Sequence, residues 1–186
     1  AKTDQAIQQI KALSVDALGL AVDVSQEAEV GRMVEQTVER LGRVDILVNN
    51  AGISVRGQPQ ELSADDWDRV VDVNLKSVFL ASKAVHPHMK GQGGGKIINI
   101  CFMFSLFGSD GVSPYSASKG GVVQLTKSLA VAWAADKIQV NAILPGWFMT
   151  GLTESIPERN PARYELINQR IPAERWGEPE ELQGPV

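Results

Sequence analysis

Short apolar runs of strand length recur along this chain, each separated from the next by a segment of helix length. That alternation restricts it to βαβ units and a parallel sheet covered by helices. Residues 17–24 (ALGLAVDV), 44–48 (VDILV), 96–101 (KIINIC) and 138–144 (IQVNAIL) are expected as strands. Their branched apolar content suits strands buried within a layered fold. Residues 4–13 are expected as a helix, with Ala6, Ile7, Ile10 and Leu13 at helical spacing. Residues 26–41 carry Val30, Met33, Val34, Val38 and Leu41 in one stripe, opened by Ser25 as a cap and stopped by Gly42. A long helix is expected from Ser63 to about Lys90, and another over 115–135. A helix near 160–170 and a short one opened by Pro179 follow; 53–62 and 102–113 read as loops. At 186 residues, one domain over 1–186 is expected.

Composition narrows the function classes. Hydrophobic residues make up 44%, enough for a folded core, so disorder is excluded. With 22 acids against 18 bases the net charge is −4, which argues against a nucleic-acid partner or binding to an anionic membrane. No apolar run approaches the roughly 20 residues that span a bilayer, and Ala1 to Gln5 open no apolar leader. Cys101, without a partner, suits a reducing compartment, so the cytoplasm is expected. With two histidines and one cysteine spread along the chain, no metal is expected.

Four stretches could carry chemistry. Tyr115 and Lys119 are four apart on a helix, which puts both on one face. A nearby ammonium favours phenolate, so Lys119 is expected to lower the Tyr115 pKa and fit it for proton exchange with a carbonyl or alcohol oxygen. The bland reading is a surface Tyr–Lys pair. Asn49-Asn50-Ala51-Gly52 follow strand 44–48 directly, where open α/β sheets bind ligands, though an Asn/Gly turn is as simple. Asn74 lies within a helix, an unfavourable place for asparagine. Its amide either holds a helix irregularity or a site water, or is an exposed surface group. Pro145 to Thr150 leave strand 138–144, as a ligand-binding loop or a plain strand stop. Gly91 to Gly95 precede a strand rather than follow one, so they form a turn and no phosphate loop. His86 and His88 are read as serving a helix C-terminus, and Glu27, Glu29, Glu35 and Glu39 as a solvated helix face.

Taken in order, these stretches resemble the short-chain dehydrogenase/reductase superfamily. The resemblance runs through Asp23-Val24, N-N-A-G-I (49–53), V-N-L-K-S (73–77), G-K-I-I-N-I (95–100), Y-S-A-S-K-G-G (115–121), V-N-A-I-x-P-G (140–146) and R-I-P-A-E-R-W-G-E-P-E-E-L (170–182). The last stretch resembles the sugar-acid branch, the gluconate and deoxygluconate dehydrogenases. The resemblance implies a Rossmann-like doubly wound parallel sheet, NAD or NADP as cofactor, and hydride transfer to or from a small-molecule alcohol or ketone. By the same resemblance Tyr115 would be the general acid/base, Lys119 would lower its pKa and hold the nicotinamide ribose, and Asn74 would anchor a water in the proton relay. Asp23 and Val24 would meet the adenine, Asn50, Ala51 and Gly52 the adenosine ribose with Val73 nearby, and Pro145, Gly146, Phe148 and Thr150 the nicotinamide.

Two departures from the pattern matter. The family's catalytic serine would fall 13 residues before Tyr115, where this chain has Phe102. A phenyl ring donates no hydrogen bond, and losing one such donor lowers rate by about 10²–10³. Ser105 would substitute only if the loop were reshaped. The family also opens with a strand, a Gly-rich phosphate-binding turn, a helix and a second strand, and continues into one more strand after the position of Val186. The expected domain is therefore truncated at both ends relative to the family. Strand 17–24 would lose a neighbour and strand 44–48 would present an apolar edge, so a homo-oligomer is expected. Val70, Val78, Leu80, Val122, Val123, Leu125 and Leu129 are read as apolar helix surface. The resemblance would set that surface against a second subunit. Two other function classes stay open: a catalytically silent homologue acting as a scaffold, and a cofactor-free, hydrolase-like activity.

Overall fold

The protein is described by a computed structural model covering residues 2–151 and 153–186. Ala1, the first residue of the stretch read for a leader, lies outside the described residues. The ordered elements are α1 (Lys2–Lys11), α2 (Glu27–Leu41), β1 (Ile46–Asn49), α3 (Ala64–Val71), α4 (Ser77–Gly91), β2 (Gly95–Ile100), α5 (Ser113–Trp133), β3 (Ile138–Ile143), α6 (Ile156–Arg159) and α7 (Pro161–Asn168). Pro179–Leu182 adds a short 3₁₀ turn.

The sheet is parallel in the order β1-β2-β3, with Leu47 opposite Ile97 and Ile97 opposite Val140. Alternation puts these three on one face with Ile138. Val34 of α2, Val85 and Met89 of α4 and Leu129 of α5 close over that face as one core. On the opposite face of β1, Ile46 and Val48 are 55% and 44% exposed.

Residues 17–24 are not a strand. Among the described residues no ladder reaches them, although Leu18, Leu20, Val22 and Val24 are half-buried in alternation with exposed neighbours. Apolar alternation sets which side faces inward, but a strand also needs a paired backbone. Gly19 lies where a Cβ would come within 2.5 Å of Ile7 Cδ1, so the segment packs on α1 instead. Ser25 is no cap either. Its hydroxyl donates to Asp23 Oδ1, and Gln26 opens α2 without a side-chain bond. Gly42 does end α2, at φ 87° with its N–H on the Val38 carbonyl.

The long helix expected from Ser63 is interrupted. Ser63 Oγ accepts from Asp66 N and starts α3, but a π turn over Asp72–Lys76 separates α3 from α4. The apolar surface expected on these helices is internal. Val70, Val78, Leu80, Val122 and Leu129 are all buried within this chain, because the stripe that covers a sheet cannot also face a partner. His86 does sit near a helix C-terminus, where its Nε2 is 2.9 Å from Asp136 Oδ2 and its ring lies on Trp133.

A polar chain bolts the layers together at the C-terminal ends of the strands. Asn49 Nδ2 donates to Asn99 Oδ1 at 2.8 Å, Asn99 Nδ2 donates to Thr126 Oγ1 at 2.9 Å, and Thr126 Oγ1 donates to the Val122 carbonyl at 2.7 Å. Asn99 is fully buried at its centre. Asn99→Ala is expected to cost about 1–2 kcal/mol, because it removes a hydrogen-bond partner from buried Thr126 and from half-buried Asn49. A shift of the urea midpoint with an unchanged m-value checks this, and a shift within error would show that the chain does not hold the layers together.

Candidate active site

The strand C-termini deliver three backbone segments to one place, and α5 closes it from the side. After β1, Asn50, Ala51 and Gly52 are exposed. After β2 come Cys101 and Phe102, and after β3 come Pro145 and Gly146. The second and third segments are tied where Met103 N donates to the Pro145 carbonyl at 3.0 Å.

Asn74 explains the π turn. A π turn inserts a residue into the helical ladder, and such turns are frequent at functional sites. Here it points a fully buried Asn74 side chain at the first segment. Asn74 Oδ1 accepts from Ile53 N at 2.8 Å, and Nδ2 donates to the Ile53 carbonyl at 2.9 Å and to Ser118 Oγ at 3.1 Å. Ser118 Oγ in turn donates to the Tyr115 carbonyl at 2.8 Å. One amide thus fastens the post-β1 loop to the first turns of α5. The exposed-asparagine reading is excluded.

Tyr115 and Lys119 share one face of α5, and the buried Lys119 Nζ is 5.7 Å from the Tyr115 ring centroid. Its hydrogen bond goes elsewhere, to the Ile100 carbonyl at 2.7 Å. The expected lowering of the tyrosine pKa is absent from this state. Burial pushes the Tyr115 phenol up to about 12, with the Cys101 charge adding to it, and burial also pushes Lys119 down. Desolvation outweighs the ammonium because both groups are enclosed together and the ammonium faces a carbonyl. Burial raises Cys101 too.

Gly52 leaves room beside these groups. A Cβ there would lie 3.4 Å from Asn74 Oδ1 and 3.6 Å from Lys119 Nζ. A bare backbone, an ammonium and an amide oxygen therefore converge on one small space, the donor and acceptor set that a ribose diol needs.

The remaining expected residues make no hydrogen bond to Asn74 or Lys119. Asp23 Oδ1 accepts from Ser25 N and Ser25 Oγ, which holds the carboxyl below its usual range. Its exposed second oxygen can accept from an adenine amino group. Val24 and Val73 are half-buried, and Lys76 of the π turn is near enough for its charge to act on Asp23. Phe148 and Thr150 belong to a turn of their own. Phe148 bridges Gly177, where a Cβ would meet the Phe148 ring at 2.5 Å, and Thr150 N donates to Thr153 Oγ1 at 3.0 Å.

Phe102 occupies the place where the motif pattern expects a serine. Its ring meets Tyr115 edge-on, with centroids 5.9 Å apart, and Trp147 at 5.6 Å. Ser105 sits in the Met103–Ser105 turn near the Cys101 thiol, and its buried Oγ makes no hydrogen bond to Tyr115 or to any other described residue. Sequence reasoning missed Ser118, Trp147 and the Ile100 carbonyl. Ser118 lies inside Y-S-A-S-K, but its bond to Asn74 spans 44 positions. A backbone carbonyl leaves no signal in a sequence.

Comparison with known proteins agrees with this geometry. A model of the short chain dehydrogenase family matches residues 1–161. The 2-dehydro-3-deoxy-D-gluconate 5-dehydrogenase of Escherichia coli is 42% identical over 183 residues, covering 98% of this chain and 72% of that protein. A crystal structure of gluconate 5-dehydrogenase from Burkholderia cenocepacia in complex with NADP and tartrate superposes with a TM-score of 0.92 at 37% identity. It covers 97% of this chain and 71% of the other. The NAD⁺-bound structure of a xylitol dehydrogenase superposes at 0.91 with 28% identity, over 98% of this chain and 75% of the other.

Proposed function

Since the chain belongs to the short chain dehydrogenase family, a family of oxidoreductases, we propose that it transfers hydride between NAD or NADP and a secondary alcohol or ketone at the Tyr115–Lys119–Asn74 cluster. The observation that carries this reading is the convergence of Asn74 Oδ1 and Lys119 Nζ on the space beside Gly52.

The residues present fit the two nucleosides of a nicotinamide dinucleotide, while the Gly-rich turn that holds the pyrophosphate in the family is not among residues 1–186. Gly52, expected at the adenosine ribose, lies beside Lys119 and would hold the nicotinamide ribose with it, Asn50 and Ala51 would hold the adenosine ribose, and Asp23 and Val24 the adenine. Pro145, Gly146, Phe148 and Thr150 would border the nicotinamide, and Val73 supports the ribose side. Bound there, the nicotinamide would supply or take up the hydride exchanged with the carbonyl carbon. Tyr115 gives its phenolic proton to the carbonyl oxygen, and it takes that proton back in the oxidative direction. Lys119 stays fixed by the Ile100 carbonyl and stabilises the phenolate that forms. Asn74 keeps the post-β1 loop in register with α5, so Gly52 stays opposite Lys119.

Calorimetric titration of the purified chain with NADH and with NADPH tests the reading. Dissociation constants in the micromolar range are expected for at least one of them. Absence of heat up to millimolar cofactor would overturn it.

Several relatives act on sugar acids by name, so a hydroxy or keto acid is the first substrate class that kinship suggests, while a relative from Thauera aromatica, 38% identical, is named a (2S)-[(R)-hydroxy(phenyl)methyl]succinyl-CoA dehydrogenase. The single chain reads as one domain working in a reducing, cytoplasmic setting. No helix among the described residues is long and apolar enough to cross a membrane. Exposed Ile46 and Val48 on β1, with Phe79 at 45% and Val131 at 82% exposure, favour a homo-oligomer. Light scattering at micromolar concentration is expected to return more than the monomer mass, and a monomer would refute this.

A further inference from the structure

Six aromatic side chains form one unbroken series of ring contacts that ends on Tyr115. Tyr164 of α7 lies 5.1 Å from Trp176, Trp176 lies 5.0 Å from Trp147, and Trp147 meets Phe102 at 5.6 Å and Phe104 at 6.1 Å. Phe102 then meets Phe104 at 4.7 Å and Tyr115 at 5.9 Å, both edge-on. The rings come from the segments after β2 and after β3, from α7 and from the stretch before the last 3₁₀ turn. Only tertiary structure brings them to one side of the phenol.

This surface is the wrong chemistry for a polyhydroxylated acid. Each substrate hydroxyl taken from water needs a partner, and one left against a ring face costs about 1–3 kcal/mol. Phe102 and Phe104 offer none. Leu106 and Phe107, two and three residues after Phe104 in the chain, are 68% and 64% exposed. Exposed apolar neighbours of this kind favour an interaction site.

A second observation is independent of the rings. The Trp176 indole N–H is buried, with the residue only 3% exposed, and has no acceptor among the described residues. A buried donor without a partner is rare and costly, so a ligand acceptor reaching it would be favoured.

The geometry points to an apolar, ring-bearing ketone or alcohol as the substrate class of this chain, its ring held against Phe102, Phe104 and Trp147 and its oxygen presented to Tyr115. This rests on the oxidoreductase reading above, but it departs from the sugar acids that kinship suggests. An aromatic pair gains about 0.5–1.5 kcal/mol beyond its buried area, so one substrate ring meeting three others favours such a ligand by at least tenfold.

Saturation-transfer NMR on the purified chain separates the two substrate classes without needing turnover. Acetophenone and 5-keto-D-gluconate are the probes, alone and in competition. Acetophenone is expected to bind at least tenfold more tightly, and Phe104→Leu is expected to weaken it severalfold. Leu106→Gln, at an exposed position that cannot unfold the chain, is expected to act in the same direction. Tighter binding of 5-keto-D-gluconate, binding of neither, or acetophenone binding indifferent to both variants would overturn the inference. Turnover with NADPH keeps the two readings apart. Tyr115-dependent reduction that favours the sugar acid would leave the oxidoreductase reading intact and sink this one. Ring-dependent acetophenone binding without any Tyr115-dependent turnover would sink the oxidoreductase reading and, with it, the substrate assignment that rests on it.

Discussion

Phe102→Ser is expected to raise kcat about 10²-fold. The backbone at Phe102 is extended, at φ −164° and ψ 156°, so serine fits it without strain. The new hydroxyl stands on the Tyr115 side of the β2 segment, where the present ring meets the tyrosine edge-on. One preorganised donor to the substrate oxygen is worth about 10²–10³ in rate. Removing the ring also removes apolar cover from the phenol, so the Tyr115 pKa should fall from about 12 toward its ordinary value. The cost is packing. Phe102 also touches Phe104 and Trp147, and truncating a half-buried phenylalanine sacrifices roughly 2 kcal/mol, about half the fully buried figure. A ring-bearing substrate loses a contact at the same time, so its KM should rise while kcat rises. This opposite movement in steady-state kinetics distinguishes a restored donor from simple loosening. An unchanged kcat in a folded variant would mean that a missing hydroxyl is not what limits the site.

Tyr115→Phe is expected to lower kcat by about 10²–10⁴, the range supplied by one positioned acid or base. Cofactor affinity should stay within about twofold, because the ribose space is built from Gly52, Asn74 and Lys119. The pH profile gives the sharper readout. With a phenol pKa of about 12, Tyr115 stays protonated through the neutral range. Ketone reduction, which consumes that proton, should therefore be flat from about pH 6 to 9. Alcohol oxidation needs the phenolate and should climb about tenfold per pH unit up to the phenol pKa, and the variant should lose that slope. The sign for stability runs the same way. The folded pKa lies above the ordinary 10 of an exposed tyrosine, so the folded chain keeps the proton longer. The stabilisation is complete below pH 10 and is lost as pH rises through 12. A bound nicotinamide cation would lower the phenol pKa from that raised value, so the oxidation limb should move to lower pH when NAD(P)⁺ is saturating. A variant with wild-type turnover would remove Tyr115 from the chemistry altogether.

The two effects depend on the same few ångströms, and together they state what kind of site this is. Lys119 is the residue least free to change role. Its ammonium is buried, bonded to a backbone carbonyl and opposite a glycine, so it can steady a phenolate only where it already stands. The aromatic series makes the opposite demand, for a ligand that brings apolar surface and one acceptor. On the proposed reading, a chain of this family with Phe102 beside its tyrosine would combine Tyr115 as proton donor with an apolar substrate side.

By itself, the sequence determined most of the helices, three of the four expected strands, the parallel α/β class and the family. Each of these follows from local pattern or from ordered motifs. Apolar periodicity sets helix or strand within a few residues, and Y-S-A-S-K sets Tyr115 and Lys119 one helical turn apart wherever the helix lies. It also flagged Asn74 as a polar residue out of place in a helix. Only the tertiary structure decided the outcomes that depend on partners far along the chain. Residues 17–24 have the alternation of a strand and are not one, since a ladder needs a neighbouring backbone. The stripe of Val70, Val78, Leu80, Val122 and Leu129 is internal, since periodicity shows an apolar face and not what covers it. The Tyr115 pKa moved against the expectation from its lysine, since desolvation is set by everything packed around the phenol while spacing reports one charge. The aromatic series is likewise invisible in one dimension. Its rings run from Phe102 to Trp176, and proximity between such distant positions exists only once β2, β3 and α7 have been brought to the same end of the fold.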